Sequence, residues 1–395
     1  MILAMIAAKI TTGVAGGSWR ADVTRWGAIE PWDGSSSLDW FVAADDRWHV
    51  PSREPTVRQQ RLSGTAVVET RVRVPTGDAV QRVFSVADAG GLTVVEVAND
   101  SALPIAIAFA GRDDVLTDRP VGAVPVEGIE LPPSRIVLPV GHRSSVRVAI
   151  AHDPLRAAGL PAGLPSAIQV VNGWLALTST ASRLELPAAD RGGALAEAVI
   201  AARCELVLGV RPPAADDPAG FVVAIGELAR MGAASSGRAD DLLIGLADAV
   251  SAFAPTRGWT CDVALDAARR VLAAAGESRA GDDVERIQRG RQRSARPAEP
   301  PAGLWCIPWL EEGLALHGML LPYGLPPEWL GANFEVFGLP IGPRSRLDYA
   351  LRWHGERPAV LWEVSGAPVE LTAPLLDPRW STADAKGEAL WHIPP

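Results

Sequence analysis

Thr65-Ala66-Val67-Val68-Glu69-Thr70-Arg71-Val72-Arg73-Val74 sets apolar against polar residues with a period of two over its second half. That period is what a strand needs to turn one face to a core and the other to water. Pro75, Thr76 and Gly77 then supply turn chemistry. Outward from this stretch the pattern repeats. Residues 80–86 read VQRVFSV, Gly90-Gly91 breaks the run, residues 92–98 read LTVVEVA, and Asn99, Asp100 and Ser101 turn the chain before the apolar run 105–109. Further strands are expected at 135–140 and 145–150. Short alternating strands separated by regular turn signals point to an antiparallel β-sandwich and away from βαβ units. Residues 167–171 and 174–178, joined by Asn172-Gly173, form the strongest hairpin signal in the chain. They are expected to complete a sandwich domain over residues 1–180.

At about Pro187 alanine-rich sequence with helical spacing takes over. Helices are expected at 194–208 and 221–230, the second entered through Asp217 as N-cap with Pro218 at the first helical position. A third carries Leu242, Leu243, Leu246, Val250 and Phe253 on one face, and two more are expected at 261–275 and 282–289. These define a short α-helical hairpin domain over 187–290. Residues 291–303, rich in proline and arginine, read as a linker. The remainder, 304–395, reads as a helix over 310–320 followed by a small antiparallel sheet with strands at 333–337, 345–353 and 359–364. It holds seven of the fourteen tryptophans, which marks a module of different character. The fold class expected is therefore α+β and multidomain.

A length of 395 residues exceeds what one core sustains, and 48% hydrophobic with 21% charged residues is globular composition. The net charge of -9 gives no electrostatic footprint for a phosphate backbone, so no nucleic-acid partner is expected. Arg286, Arg289, Arg291, Arg293 and Arg296 read as a solvated linker run. Cys204, Cys261 and Cys306 are odd in number and lack a CxxC partner, so neither a disulfide framework nor a metal site is expected, and a reducing compartment fits. Residues 1–17 lack the basic n-region of a signal peptide, and no apolar run reaches the roughly 18 residues of a membrane span. A cytoplasmic protein with no membrane partner is expected. No phosphate loop, nucleophile elbow, HExxH or strand-borne GxGxxG occurs, so no cofactor is expected.

Asp33-Gly34-Ser35-Ser36-Ser37-Leu38-Asp39-Trp40-Phe41, followed by Gly64-Thr65-Ala66-Val67-Val68-Glu69-Thr70 and Pro75-Thr76-Gly77-Asp78, resembles the N-terminal β-supersandwich of glucoamylase-type glycoside hydrolases. There a DGSIDWL segment precedes GTxVLET and TPTG segments in this order. The likeness covers about residues 26–110. In that family the sandwich leads into a toroid of about a dozen helices carrying two catalytic glutamates, one protonating the leaving oxygen and one activating water. The helical stretch here is less than half of such a toroid. The resemblance thus implies a carbohydrate-associated binding or accessory module with a reduced catalytic domain.

Trp40, Asp45, Asp46, Trp48 and His49 concentrate aromatic and acidic side chains in one short stretch. Indole faces stack on sugar rings and carboxylates accept hydroxyl hydrogens, so this stretch is the expected oligosaccharide-binding loop. The other arrangement its residues allow is a sandwich edge whose acids pair with Arg47. Glu311 and Glu312, beside Trp305, Trp309 and His317, are the candidate catalytic carboxylates. They serve the second reading, an active α-glycosidase that pairs one of them with Asp45 or Asp46. Adjacent residues on a helix point about 100° apart, which disfavours the two glutamates as a facing pair. A third reading is a structural protein with a protein partner on its tryptophan-rich C-terminal surface.

Overall fold

The computed structural model describes residues 9–119, 135–156, 159–232, 243, 245–355 and 357–392. The first eight residues and Leu242, both used in the sequence reading, lie outside these. The fold is α+β, with seven α-helices among the described residues and several antiparallel sheets. The chain divides into two compact units, residues 1–174 and 175–395.

In the first unit the decisive stretch forms strand Val68–Val74, inside a six-stranded sheet ordered Val115–Thr117, Ser145–Ala151, Leu92–Asn99, Gly77–Val86, Val68–Val74 and Arg58–Arg61. Every pairing in it is antiparallel. Val68, Val72 and Val74 face a core shared with Val83, Val95, Val97 and Val148. Trp40, Val42, Ile107, Phe109 and Leu138 enter the same core from a four-stranded sheet built of Arg135–Val140, Ile105–Ala110, Asp39–Ala43 and Trp48–His49. Two sheets closing on one apolar layer is the sandwich arrangement. The polar half of the alternation is used as well. Glu69 accepts from Arg71 at 2.9 Å and from Arg82 at 3.0 Å, and Glu96 accepts from Arg82 at 3.4 Å and Arg147 at 2.7 Å. Glu69 lies opposite Arg82, and Arg82 and Arg147 lie opposite Glu96, so these three are cross-strand pairs that fix register, while Arg71 joins from the same strand as Glu69.

Residues 167–179 correct the sequence reading. They form one helix, α1 (Ala167–Ser179), and not a hairpin. The overriding signal is a capping box just upstream. Ser166 and Gln169 bond reciprocally: the Ser166 amide donates to Gln169 Oε1 at 2.8 Å, and the Gln169 amide donates to Ser166 Oγ at 3.4 Å. Ala167, Val171, Trp174 and Thr178 are then buried at helical spacing, while Asn172 and Gly173 face water on the opposite side.

In the second unit, α2 (Gly192–Val207), α3 (Pro218–Arg230), α4 (Leu246–Phe253), α5 (Trp259–Ala275), α6 (Ser278–Arg289) and α7 (Cys306–Leu314) follow the expected helical periodicity. Asp217 caps α3 as its sequence predicts, accepting from the Gly220 amide at 2.8 Å. The expected helix over 310–320 stops at Leu314 instead. Ala315–Leu316 and Met319–Leu320 pair as a tight hairpin, with His317 and Gly318 both at positive φ, the conformation of a primed turn. A five-stranded antiparallel sheet runs Arg183–Glu185, Phe334–Pro340, Ser345–His354, Arg357–Gly366 and Lys386–Leu390. Val222, Leu265 and Ile307 of the helices share one core with Val336, Leu347 and Trp391 of this sheet region. Trp362, Trp380 and Trp391 meet edge to face within it, so these tryptophans are interior packing.

Residues 291–302 form no helix or strand, yet their polar groups reach into the unit. Arg293 donates to Asp266 at 2.8 Å, the Ser294 amide to Asp262 at 2.7 Å, and Arg296 to the Trp309 carbonyl at 2.8 Å. The segment is a pinned strap, and Arg293 and Arg296 are not solvated as expected.

Gly173 is exposed inside α1, and an added Cβ would meet nothing within 4 Å. Gly173→Ala should therefore stabilise the protein by about 0.5–1 kcal/mol in urea unfolding. Destabilisation would be the mark of an Asn-Gly turn.

Candidate functional site

The expected sugar loop is a self-contained polar corner. Trp40 is 2% exposed, in strand Asp39–Ala43 opposite Phe109, and its Nε1 donates to the Trp26 carbonyl at 2.8 Å. Strand alternation sends its ring into the core, so it presents no stacking face, contrary to the sequence expectation. Trp48 is half-buried against Phe41, Ala108 and Ala110. His49 is buried, with Nε2 3.1 Å from Asp46 Oδ1 and Nδ1 3.2 Å from Glu54 Oε1. Arg47 bonds Glu54 through both terminal nitrogens, at 2.7 and 3.2 Å. Hydrogen bonding by Arg47 holds the Glu54 carboxyl below its ordinary pKa. Asp45 remains exposed. The sequence reading missed Glu54. It follows the short 3-10 turn Pro51–Arg53, and the Pro-Ser-Arg turn that folds it back is the signal that could have found it.

Glu311 and Glu312 occupy a more constrained place. Both lie on α7 and both are buried, at 4% and 8% exposure. Glu311 accepts from Arg203 at 2.8 Å, from both terminal nitrogens of Arg230 at 2.8 Å, and from the Ser182 hydroxyl at 2.7 Å. Arg203 also bonds Glu227 at 3.1 Å, and Arg230 bonds the other oxygen of Glu227. The result is a closed ring of two carboxylates and two guanidiniums drawn from α2, α3 and α7. Further donors reach the backbone. Arg203 reaches the Ser182 carbonyl and Arg230 the Ala181 carbonyl, each at 2.9 Å. Burial works against the charge of Glu311, but Arg230 and then Arg203 outweigh it and hold the carboxyl well below its ordinary range.

Glu312 points to the other side of the helix. It accepts from Trp259 Nε1 at 2.7 Å and pairs with Arg293, which continues to Asp266. Burial pushes the Glu312 carboxyl up, against the pull of Arg293. Asp266 also receives Gln288 at 2.8 Å and lies 3.4 Å from His317 Nε2. Its pKa falls far below the ordinary value, since His317 and Arg293 overcome burial. Between Asp266, Arg270, Glu311 and Glu312 lies a cavity of about 30 Å³. That volume is on the order of one water molecule, with no room for a pyranose ring. Asp45 and Asp46, the proposed complements in a hydrolase reading, belong to the other unit.

Around α7 a wider groove of about 330 Å³ is lined by Trp309, Tyr323, Trp329 and Leu325, with Arg296 at its edge. The Arg296 guanidinium lies 4.1 Å from the ring centres of both Trp309 and Tyr323. Tyr323 is 46% exposed and is the accessible aromatic of this groove. Among the described residues no group of His, Cys, Asp and Glu has the arrangement of a metal site, and no helix is long and apolar enough to cross a membrane. No protein-family model and no curated protein matches the sequence.

The geometry makes Glu311 a fold-holding carboxylate. Glu311→Gln leaves two buried guanidiniums short of an anion and should cost about 3–5 kcal/mol near pH 7 in chemical unfolding. A carboxyl with a depressed folded pKa contributes stability above its unfolded pKa and loses it as pH falls through the folded value. The deficit of Glu311→Gln relative to the parent should accordingly shrink below about pH 4. A variant as stable as the parent at neutral pH would remove Glu311 from this role.

Proposed function

We propose that this chain is a non-hydrolytic, carbohydrate-associated binding or accessory module of glucoamylase-like ancestry. The observation that carries the non-hydrolytic part is the engagement of Glu311 in a closed ion-pair ring, with Glu312 committed to Arg293 and Trp259. A general acid must hold a proton near neutral pH and a general base must reach a water beside the substrate. Glu311 is kept ionised and saturated with donors, and the space beside it admits no sugar.

The carbohydrate part is supported by the resemblance over residues 26–110 and by the aromatic groove at Trp309, Tyr323 and Trp329. An aromatic face with a flanking polar group is the usual platform for a sugar ring. In this reading Tyr323 stacks on the saccharide and Arg296 holds the ring from behind.

Calorimetric titration with maltooligosaccharides should show binding without release of glucose, and Tyr323→Ala should weaken it by about tenfold, the loss of one aromatic contact. Glucose release by the parent that Glu312→Gln abolishes would establish the hydrolase instead. Absence of binding to every oligosaccharide tried would overturn the carbohydrate reading.

A further inference from the structure

A cleft of about 440 Å³ opens in the second unit between α3, α5 and the tip of the Phe334–Pro340/Ser345–His354 hairpin. Its charged lining consists of Arg230, Arg270, Arg344 and Arg346, with no carboxylate among the lining residues. This is a local accumulation of positive charge in a chain of net charge -9.

The room in it follows from the sequence of the two helices. Gly226 of α3 packs so closely on α5 that an added Cβ would lie 3.1 Å from the Ala267 Cβ, and Ala229, Ala273 and Ala274 leave the wall low. The hairpin tip is fixed from the opposite side. The Ile341 amide donates to the Ser345 carbonyl at 3.1 Å, the Ala367 amide to the Arg344 carbonyl at 3.2 Å, and the Ser345 hydroxyl to the Ala367 carbonyl at 2.8 Å. Gly366 allows this approach, because it sits at φ +90 and an added Cβ would lie 1.8 Å from the Arg344 carbonyl. Arg344 and Arg346 are therefore displayed from a braced turn.

What is unusual is the bonding of these guanidiniums. Among the described residues, Arg270, Arg344 and Arg346 form no ion pair and no side-chain hydrogen bond, whereas Arg203, Arg230 and Arg293 nearby are each paired with carboxylates. The Nε atoms of Arg230 and Arg270 are buried without an acceptor. An arginine stays charged at any physiological pH, and an unpaired buried charge is among the most costly features a fold can carry. Arg270 also faces a like charge in Arg230, and burial together with that neighbour lowers its pKa against the opposing pull of Asp266, Glu227 and Glu311. The acids nearest in the network, Glu227 and Glu311, are already consumed by Arg203 and Arg230. The missing partner is an anion supplied from solution.

We propose that this cleft binds the phosphoryl group of a small phosphorylated molecule. One carboxylate is satisfied by a single bidentate arginine, whereas three unpartnered guanidiniums around one concavity match a dianion with three terminal oxygens. The volume lies in the range of small-molecule sites, so it holds a body as well as the phosphoryl group. Arg270 forms the floor and Arg344 and Arg346 close over the anion. This site shares no residue with the aromatic groove, so it stands whether or not maltooligosaccharides bind there.

The test is calorimetry on the full chain at low ionic strength, with inorganic phosphate, glucose 6-phosphate and AMP as probes and glucose as the uncharged control. The phosphorylated probes should bind and glucose should not bind in this cleft. Arg344→Ala/Arg346→Ala, at exposed positions, should weaken phosphate binding by about tenfold or more and leave the melting temperature of the ligand-free protein unchanged. Arg270→Met, which keeps an aliphatic stem and removes the guanidinium, should abolish binding. A preference for glucose 6-phosphate or for AMP over inorganic phosphate identifies the body; equal affinities mean that the phosphoryl group alone is read. The proposal is overturned if no phosphorylated probe binds the parent, or if the double variant binds them as the parent does.

Discussion

The Glu311 carboxylate, held by Arg203 and Arg230 and closed into a ring through Glu227, is the constraint on which the second unit depends. Two acids and two bases out of water are tolerable only as a set, because removal of any one leaves a buried charge uncompensated. The ring therefore demands that α2, α3 and α7 be in place together. It also ties them to the sheet: Ser182 and Ala181, whose groups complete the ring, immediately precede the edge strand Arg183–Glu185. A β-bulge at Gly338 brings the neighbouring strand alongside, with Gly338 at φ +73 and an added Cβ 3.1 Å from the Ala181 carbonyl. Such a ring contributes less net stability than apolar packing of equal volume would. Its effect is to specify which helix faces meet.

The same economy of anions explains the arginine-lined cleft. Within α3 and α5 the carboxylates of Glu227 and Asp266 are committed to Arg203, Arg230 and Arg293. Arg270, one turn along α5 from Asp266, is left facing the cleft without a partner. Arg270 also lines the small cavity with Asp266, Glu311 and Glu312, so the committed acids and the arginine left for the cleft share one face of α5. A carboxylate locked by two guanidiniums neither gives nor takes a proton near neutral pH.

The first unit was legible because its signal is local. Valines at alternate positions in residues 68–74 and their counterparts in 80–98 report the buried face without reference to the rest of the chain. Asn172-Gly173 misled because a dipeptide that suits a primed turn is also tolerated on the wet face of a helix. The Ser166–Gln169 capping box, which begins six residues before Asn172, outweighs it. At residues 315–318 the reverse held: helical spacing ran on in the sequence, while Ala315 turns extended and ends the helix, and positive φ at His317 and Gly318 forms the hairpin turn that follows. The site was far less legible. Arg203 finds Glu311 across 108 positions and Arg230 finds it across 81, and no local pattern encodes either pair. The adjacent glutamates were visible as a doublet, but what they hold is set by tertiary packing.

The most direct test of this account is a double-mutant cycle on Arg230 and Glu311, read from urea unfolding of the parent, Arg230→Met, Glu311→Leu and the double variant. A shared buried charge pair predicts a coupling of about 2 kcal/mol or more, with the double variant more stable than the sum of the single losses implies. Additive effects, within about 0.3–0.5 kcal/mol, would contradict the claim that this ring holds the helices of the second unit to its sheet.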